Sequence, residues 1–203
     1  MNYHHLYNRG AHKALVFHDK FDYERMLKLL YIANCSQPFV LRDLGDSNIF
    51  EIERQDKLVD IVAYCLMPNH FHIALAQDES DLQRCHLCVT RFMRKLCTAY
   101  AVYYNLKYTH SGTIWQGACK NKSSPDPLYL DTLISYIHLN PYTSSQDDSQ
   151  GSVKKEFLEE AWEHCRNYEY SSLKDYSGEN RTQSAIISYR GDTSVRTQIS
   201  FGL

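Results

Sequence analysis

The sequence predicts an α+β fold, an antiparallel sheet with helices packed on one face, built as a single domain with a C-terminal extension. Three observations predict it. Val59-Asp-Ile-Val-Ala-Tyr-Cys-Leu-Met67 is rich in β-branched and aromatic residues and is stopped by Pro68-Asn69, which reads as strand, turn and returning strand. Cys85, Cys88, Phe92, Leu96, Ala99 and Tyr103 recur at spacings of three and four, the period of a half-buried helix. Asp126-Pro127 supplies a capping carboxylate and a proline suited to the first helical position of a second helix. Helices alternating with antiparallel strands imply an α+β sandwich.

In chain order the elements are a strand from Tyr3 to Asn8, a helix from about Asp22 to Cys35, and an insertion at about 36–57 carrying one or two strands. Strands Val59–Met67 and His70–Ala76 follow, then a long helix from Leu82 to about Leu106, a basic loop or strand around Trp115–Lys122, and a helix Pro127–Asn140 that Pro141 prevents from continuing. Residues 1–142 form the core, 143–178 a linker and C-terminal segment, and 179–203 a Ser-, Thr- and Gln-rich polar tail in which Gly191-Asp192 could close a weak hairpin.

A chain of 203 residues with 43% hydrophobic content can bury a substantial core. No apolar run is long enough to span a bilayer, and the first residues lack the apolar centre of a signal peptide, so a cytoplasmic protein with no membrane partner is expected. Seven scattered Cys fit reduced thiols; Cys85 and Cys88 form a CxxC without a second pair at zinc-site spacing and belong to the helix stripe. The net charge of −2 hides a strong asymmetry. Between Gln83 and Lys122 there is no Asp or Glu, against seven Arg and Lys, whereas 123–165 carries eight acids against Lys154 and Lys155. Tyr100, Tyr103, Tyr104, Tyr108 and Trp115 interleave with those cations, a pattern that serves a nucleic-acid surface as well as a solvated helix with core aromatics. Tyr103 belongs to the core stripe, leaving Arg91, Arg94 and Lys95 as phosphate contacts.

The chemistry concentrates in two short segments. In a strand, His70 and His72 project from one face and Phe71 from the other, which is what two imidazoles sharing a divalent ion require. In a chain with ten His, a bare His-x-His is more often an incidental pair than a metal site. On the helix 127–140, Tyr129, Leu133, Tyr136 and Asn140 share one face, while Leu130, Ile134 and Ile137 form the apolar stripe that docks it. Spacing alone describes Tyr136 and Asn140 equally well as a rim tyrosine and a helix-terminal amide.

Leu66-Met-Pro-Asn-His-Phe-His72, Trp115-Gln-Gly117 and Tyr136-Ile-His-Leu-Asn-Pro141 resemble the successive blocks of single-tyrosine HUH transposases, in the REP-associated branch of the IS200-like transposases. Asn8-Arg9-Gly10, Phe92-Met-Arg94, Tyr104-Asn105, Tyr170-Ser-Ser172, Tyr176 and Gly178 agree in order, so the resemblance covers roughly residues 3 to 178. Two departures stand out. Ala118-Cys119 precede Lys120 where the family has Arg or Lys and an aromatic, and the stretch from Cys35 to Lys57 is longer than in short relatives.

The resemblance implies a ferredoxin-like core with both His on a central strand. It implies that His70, His72 and Asn140 hold one Mg²⁺ or Mn²⁺, and that Tyr136 attacks a scissile phosphate to give a 5′-phosphotyrosine and a free 3′-OH. The substrate implied is single-stranded DNA beside a hairpin, held by Arg9, Arg91, Arg94, Lys95, Trp115, Lys120 and Lys122, with the protein a monomer or homodimer. Two readings compete with cleavage and religation: a non-catalytic DNA-hairpin-binding protein, and a cupin-type metalloenzyme, which would need many more glycine-bounded strands than eight Gly allow.

Overall fold

Period-two alternation along the strands decides the architecture, because it gives each strand two different apolar faces to cover. The structure, a computed structural model, describes residues 1–39, 48–54, 56–78, 82–144 and 153–188, apart from the side chains of 82–85 and 155. The sheet contains β1 (Asn2–Arg9), β2 (Asp60–Met67), β3 (His70–Gln77) and β4 (Lys120–Ser124), in the order β2-β3-β1-β4 with every pair antiparallel. With α1 (Lys20–Ile32) between β1 and β2, and α2 (Leu82–Lys107) between β3 and β4, this is the ferredoxin-like βαββαβ order. The four-stranded open sheet is not a cupin barrel, and β3 is a central strand.

Leu6, Phe71, Ile73 and Leu75 point to one face, where Met26, Leu29 and Leu30 of α1 and Phe92, Leu96 and Tyr100 of α2 bury them. The helices do not all occupy that face, however. The opposite face carries Tyr3, Val62, Cys65, Ala74 and Ala76, and α3 (Pro127–Thr143) covers it with Leu130, Leu133, Ile134 and Ile137. The cause is that strands buried on both faces leave a second apolar surface that the first two helices cannot reach.

Local chemistry sets the helix ends. Asp19 caps α1, accepting from the backbone N–H of Phe21 at 2.9 Å and of Asp22 at 3.2 Å, so the helix starts at Lys20 rather than at Asp22. Asp126 caps α3 as its sequence predicts, accepting from Leu128 N at 2.9 Å. Pro141 does not stop α3: a proline removes one N–H near the end of a helix, and Ser144 N still reaches Asn140 O at 3.0 Å, so the helix runs on to Thr143. In the 36–57 insertion the described residues contain a 3₁₀ turn, Ile49–Glu51, and no strand; Tyr31 donates its hydroxyl to Ile52 O at 2.7 Å. Gly191-Asp192 lies outside the described residues.

Beyond α3, α4 (Leu158–Arg166) packs on it, and Tyr170–Ser172 docks along the open edge of β2. Leu66 N donates to Tyr170 O at 2.9 Å and Ser172 N to Tyr64 O at 3.0 Å, pairing groups that an edge strand would otherwise leave bare. The short helix α5 (Leu173–Tyr176) follows. Residues 179–188, expected as the start of a polar tail, instead complete the core: Ile186 and Ile187 are buried against α1 and its neighbours, and Ser188 N donates to Ile61 O at 3.0 Å. Apolar Ile186-Ile187 is a small signal inside a polar composition, which is why composition misplaces it.

Arg181 clamps this segment. It forks onto Asp175 with Nε at 3.0 Å and Nη2 at 2.6 Å, and Nη2 also reaches Ser171 O at 2.6 Å. The Asp175 side chain is 4% exposed, so removing the cation strands a buried carboxylate. Arg181→Leu is expected to cost about 3–5 kcal/mol, read as a lowered urea midpoint at unchanged m. Adding Asp175→Leu to that variant should recover much of the loss.

Candidate active site

β3 presents His70 and His72 on the α3 side of the sheet, while Phe71 between them is fully buried on the other side, edge-on to Trp115 at 5.4 Å. The β2–β3 turn at Pro68-Asn69 pairs Met67 with His70, and β1 brings Arg9 beside His70 and Tyr7 beside His72. α3 lies over this face. One turn apart on it, Tyr136 and Asn140 meet the histidines: Asn140 Oδ1 is 3.1 Å from His70 Nε2, and the Tyr136 ring stands edge-on to His72 at 5.5 Å between centroids. A cavity of about 690 Å³, large enough for a nucleotide, is lined by Tyr7, Arg9, His70, His72, Lys120, Tyr136 and Asn140, with Gln116–Ala118 at its wall.

Residues far apart in sequence build that wall. Asn8 donates its side-chain amide to Gly117 O at 3.1 Å, Gln116 N donates to Arg9 O at 2.9 Å, and Gly10 forms a bridge with Trp115. Gly10 has no alternative, since a Cβ there would lie 2.2 Å from Ala14 O. The Asn8-Arg9-Gly10, His70-Phe71-His72, Trp115-Gln-Gly117 and Tyr136-to-Asn140 blocks therefore converge on one cavity.

Two members of the site were not assigned from sequence. His5 Nε2 is 2.8 Å from His72 Nδ1, with the ring planes only 28° apart and the centroids 5.0 Å apart, and it touches the edge of Tyr136 at 5.7 Å. Tyr7 packs on His5 at 4.8 Å and His72 at 5.8 Å. The signal for both is the alternation Tyr3, His5, Tyr7, Arg9, which places them on one face of the first strand; which strand they would neighbour is not encoded locally.

The site keeps its imidazoles neutral. Burial pushes His72 well below the ordinary histidine range, helped by the positive character of His70, His5 and Arg9. Burial also lowers His70, against the pull of Asn140, and brings His5 down to about 4 with the help of Lys122. Burial raises the Tyr136 phenol; the Asn140 amide acts the other way.

These residues fit a divalent cation. His70 Nδ1 lies 2.6 Å from Asn69 Oδ1, an acceptor, and with the ring proton on Nδ1 the Nε2 atom would keep a lone pair. That lone pair faces Asn140 Oδ1, which already accepts from Ser144 Oγ at 3.2 Å. In that tautomer His70 Nε2 and Asn140 Oδ1, 3.1 Å apart, would both offer lone pairs to a cation. Among the described residues no three His, Cys, Asp or Glu side chains are arranged to hold a metal ion, so the third donor beside His70 and His72 is the Asn140 amide oxygen. A neutral donor set of two imidazoles and an amide leaves the ion's charge for an anionic ligand.

The proposed DNA contacts divide. Lys120 and Lys122 pair with Tyr7 and His5 across β1–β4 and share their face; Lys120 stands over the Tyr7 ring at 5.8 Å, and Arg9 lines the cavity. Arg91, Arg94 and Lys95 lie on α2, behind the opposite face of the sheet. Arg91 donates to Ser36 O at 2.6 Å and Lys95 to Gln37 O at 2.8 Å, fastening the chain after α1, and Arg94 is exposed there. Trp115 is 7% exposed and donates its indole N–H to Cys97 O at 3.2 Å, so it is a core residue with no ring face left for a base. Aromatic rings interleaved with cations mark both uses, and only packing separates them.

No protein-family model matches the chain, and no curated protein matches it. Among solved structures, a REP-associated tyrosine transposase bound to a REP hairpin is similar with a TM-score of 0.46 at 12% identity, over 95% of this chain and 86% of that one.

The depressed imidazoles make a prediction about acid. Their folded pKa values lie below the 6.5 of an unfolded chain, so protons bind the unfolded state first as pH falls. Stability should be full above about pH 6.5, decline towards about pH 4 and level off below the folded values. Fully buried His138, bonded through Nε2 to Ser172 Oγ at 2.8 Å and pushed by burial down to about 3, adds to this. Melting temperatures across that range should show the decline, and it should be shallower in His138→Gln.

Proposed function

We propose that the chain is a metal-dependent nuclease and strand transferase acting on single-stranded DNA beside a hairpin, through a covalent phosphotyrosine. The observation that carries this reading is the meeting of a phenol, two imidazoles and an amide oxygen in one cavity rimmed by Arg9 and Lys120. The same meeting within one chain favours action in cis. Its motifs are those whose resemblance implies hairpin-flanking DNA as substrate.

In this reading the Tyr136 oxygen loses its proton and attacks the phosphorus. The new bond joins the phenolic oxygen to phosphorus, the P–O3′ bond breaks, and O3′ leaves with its electron pair and takes up a proton. The products are a 5′-phosphotyrosine and a free 3′-OH. His70, His72 and Asn140 would hold a divalent ion, which when bound would supply positive charge against the charge developing on the phosphate. Asn140 favours the ionised phenol that burial disfavours. Arg9 and Lys120 hold the flanking phosphates without reading sequence. A phosphotyrosine keeps the energy of a phosphodiester, so a second 3′-OH can reverse the attack and join new ends.

A labelled hairpin oligonucleotide with single-stranded flanks, incubated with protein and Mn²⁺, is expected to yield an adduct stable to denaturing electrophoresis. Tyr136→Phe and chelation of the ion should each abolish it; an equal adduct from Tyr136→Phe, or none from the wild-type protein, contradicts the reading. Arg9→Ala and Lys120→Ala should each reduce the salt dependence of DNA binding by about one charge, while Arg94→Ala leaves it unchanged.

A further inference from the structure

We propose that His5 is a positioning residue: its Nε2 accepts the Nδ1–H of His72, holding the other nitrogen of His72 as a bare lone pair available to the cavity. The inference rests on the cation site of the preceding section and extends it to a strand, β1, to which that reading gives no part in the ligand set.

The geometry argues it in three steps. First, the 2.8 Å contact between His5 Nε2 and His72 Nδ1 leaves room for one proton, so one ring donates and the other accepts. Second, His72 lines the cavity, and with Nδ1 engaged by His5 its remaining nitrogen is Nε2. A ring that donates from Nδ1 exposes a lone pair at Nε2, whereas the reverse tautomer would present an N–H that cannot bind a cation. Third, the neighbouring histidine is held in the same way, because Asn69 Oδ1 at 2.6 Å takes the Nδ1 proton of His70. Each imidazole of the pair thus has its own acceptor at Nδ1, one from the β2–β3 turn and one from β1. Fixing the tautomer and ring angle of a ligand from behind is what outer partners of metal-binding histidines do, typically worth ten- to a hundredfold in affinity.

Position supports the role. His5 and His72 are 9% and 6% exposed, so water does not substitute readily for either partner. The ring contacts of His5 with Tyr7 and Tyr136 fix its own orientation, and the 28° between the His5 and His72 planes suits an in-plane hydrogen bond.

The test compares His5→Gln, which keeps an acceptor near the position of Nε2, with His5→Phe, which keeps a ring and removes the acceptor. Two readouts are taken without DNA: the His72 tautomer by ¹⁵N-detected imidazole NMR of the metal-free protein, and Mn²⁺ affinity by calorimetry. The expected result is a proton on Nδ1 of His72 in the wild-type protein and in His5→Gln, with Mn²⁺ affinities within about threefold, and in His5→Phe a redistributed tautomer with Mn²⁺ binding weakened about ten- to a hundredfold. A proton on Nε2 in the wild-type protein overturns the proposal, as does a His5→Phe protein with unchanged tautomer and affinity, or a His5→Gln loss equal to that of His5→Phe. If the wild-type protein binds no Mn²⁺ while the tautomer still follows His5, the positioning role is upheld and the cation-dependent function falls.

Discussion

Everything at the site depends on how closely α3 approaches the sheet. Leu130, Leu133, Ile134 and Ile137 of the helix pack on Val62, Cys65, Ala74 and Ala76, and three of those four sheet residues are small. Small side chains beneath a helix shorten the distance between the layers, and that distance decides whether Tyr136 and Asn140 reach His72 and His70. The 3.1 Å between Asn140 and His70 leaves little slack, so a larger residue at Ala74 would separate phenol from imidazole without touching either.

The two faces of the sheet divide the work. The α1–α2 side holds large side chains, among them Phe71, Phe92, Leu96 and Tyr100, and supplies most of the core. The α3 side gives up volume for chemistry, placing three histidines and two tyrosines in contact around a cavity. Desolvation keeps the imidazoles neutral, hence able to donate lone pairs, and also keeps the phenol protonated until something acts on it. Charge is confined to the rim, where Arg9 and Lys120 are exposed to water. Tyr170–Ser172 and Arg181 close the β2 edge of the sheet, and β4, which carries Lys120 and Lys122, is its other edge.

How much of this was legible in the sequence follows the range of each interaction. The strand pair around Pro68-Asn69, the shared direction of His70 and His72, and the adjacency of Tyr136 and Asn140 are consequences of periods of two and 3.6, and each appears as a local pattern. His5 and Tyr7 escape because their importance comes from β1 pairing with β3, some 67 residues away for His5 and His72. Trp115, Arg91 and Lys95 are ambiguous for the complementary reason: indole rings and long cationic side chains serve cores and clamps as readily as nucleic acid. The second helical layer was hidden too, since a stripe of Leu and Ile on α3 says that the helix docks but not on which face. Pro141 shows the limit of a local rule, costing one hydrogen bond where the last turn has others to hold it.

The central claim is that Tyr136, and no other phenol in the cavity, becomes joined to DNA in a cation-dependent step. Peptide mapping by mass spectrometry, after reaction with a hairpin oligonucleotide and Mn²⁺, tests it most directly. The account predicts a nucleotide phosphate on the peptide containing Tyr136. Modification of Tyr7 in its place, or of neither tyrosine, would contradict it.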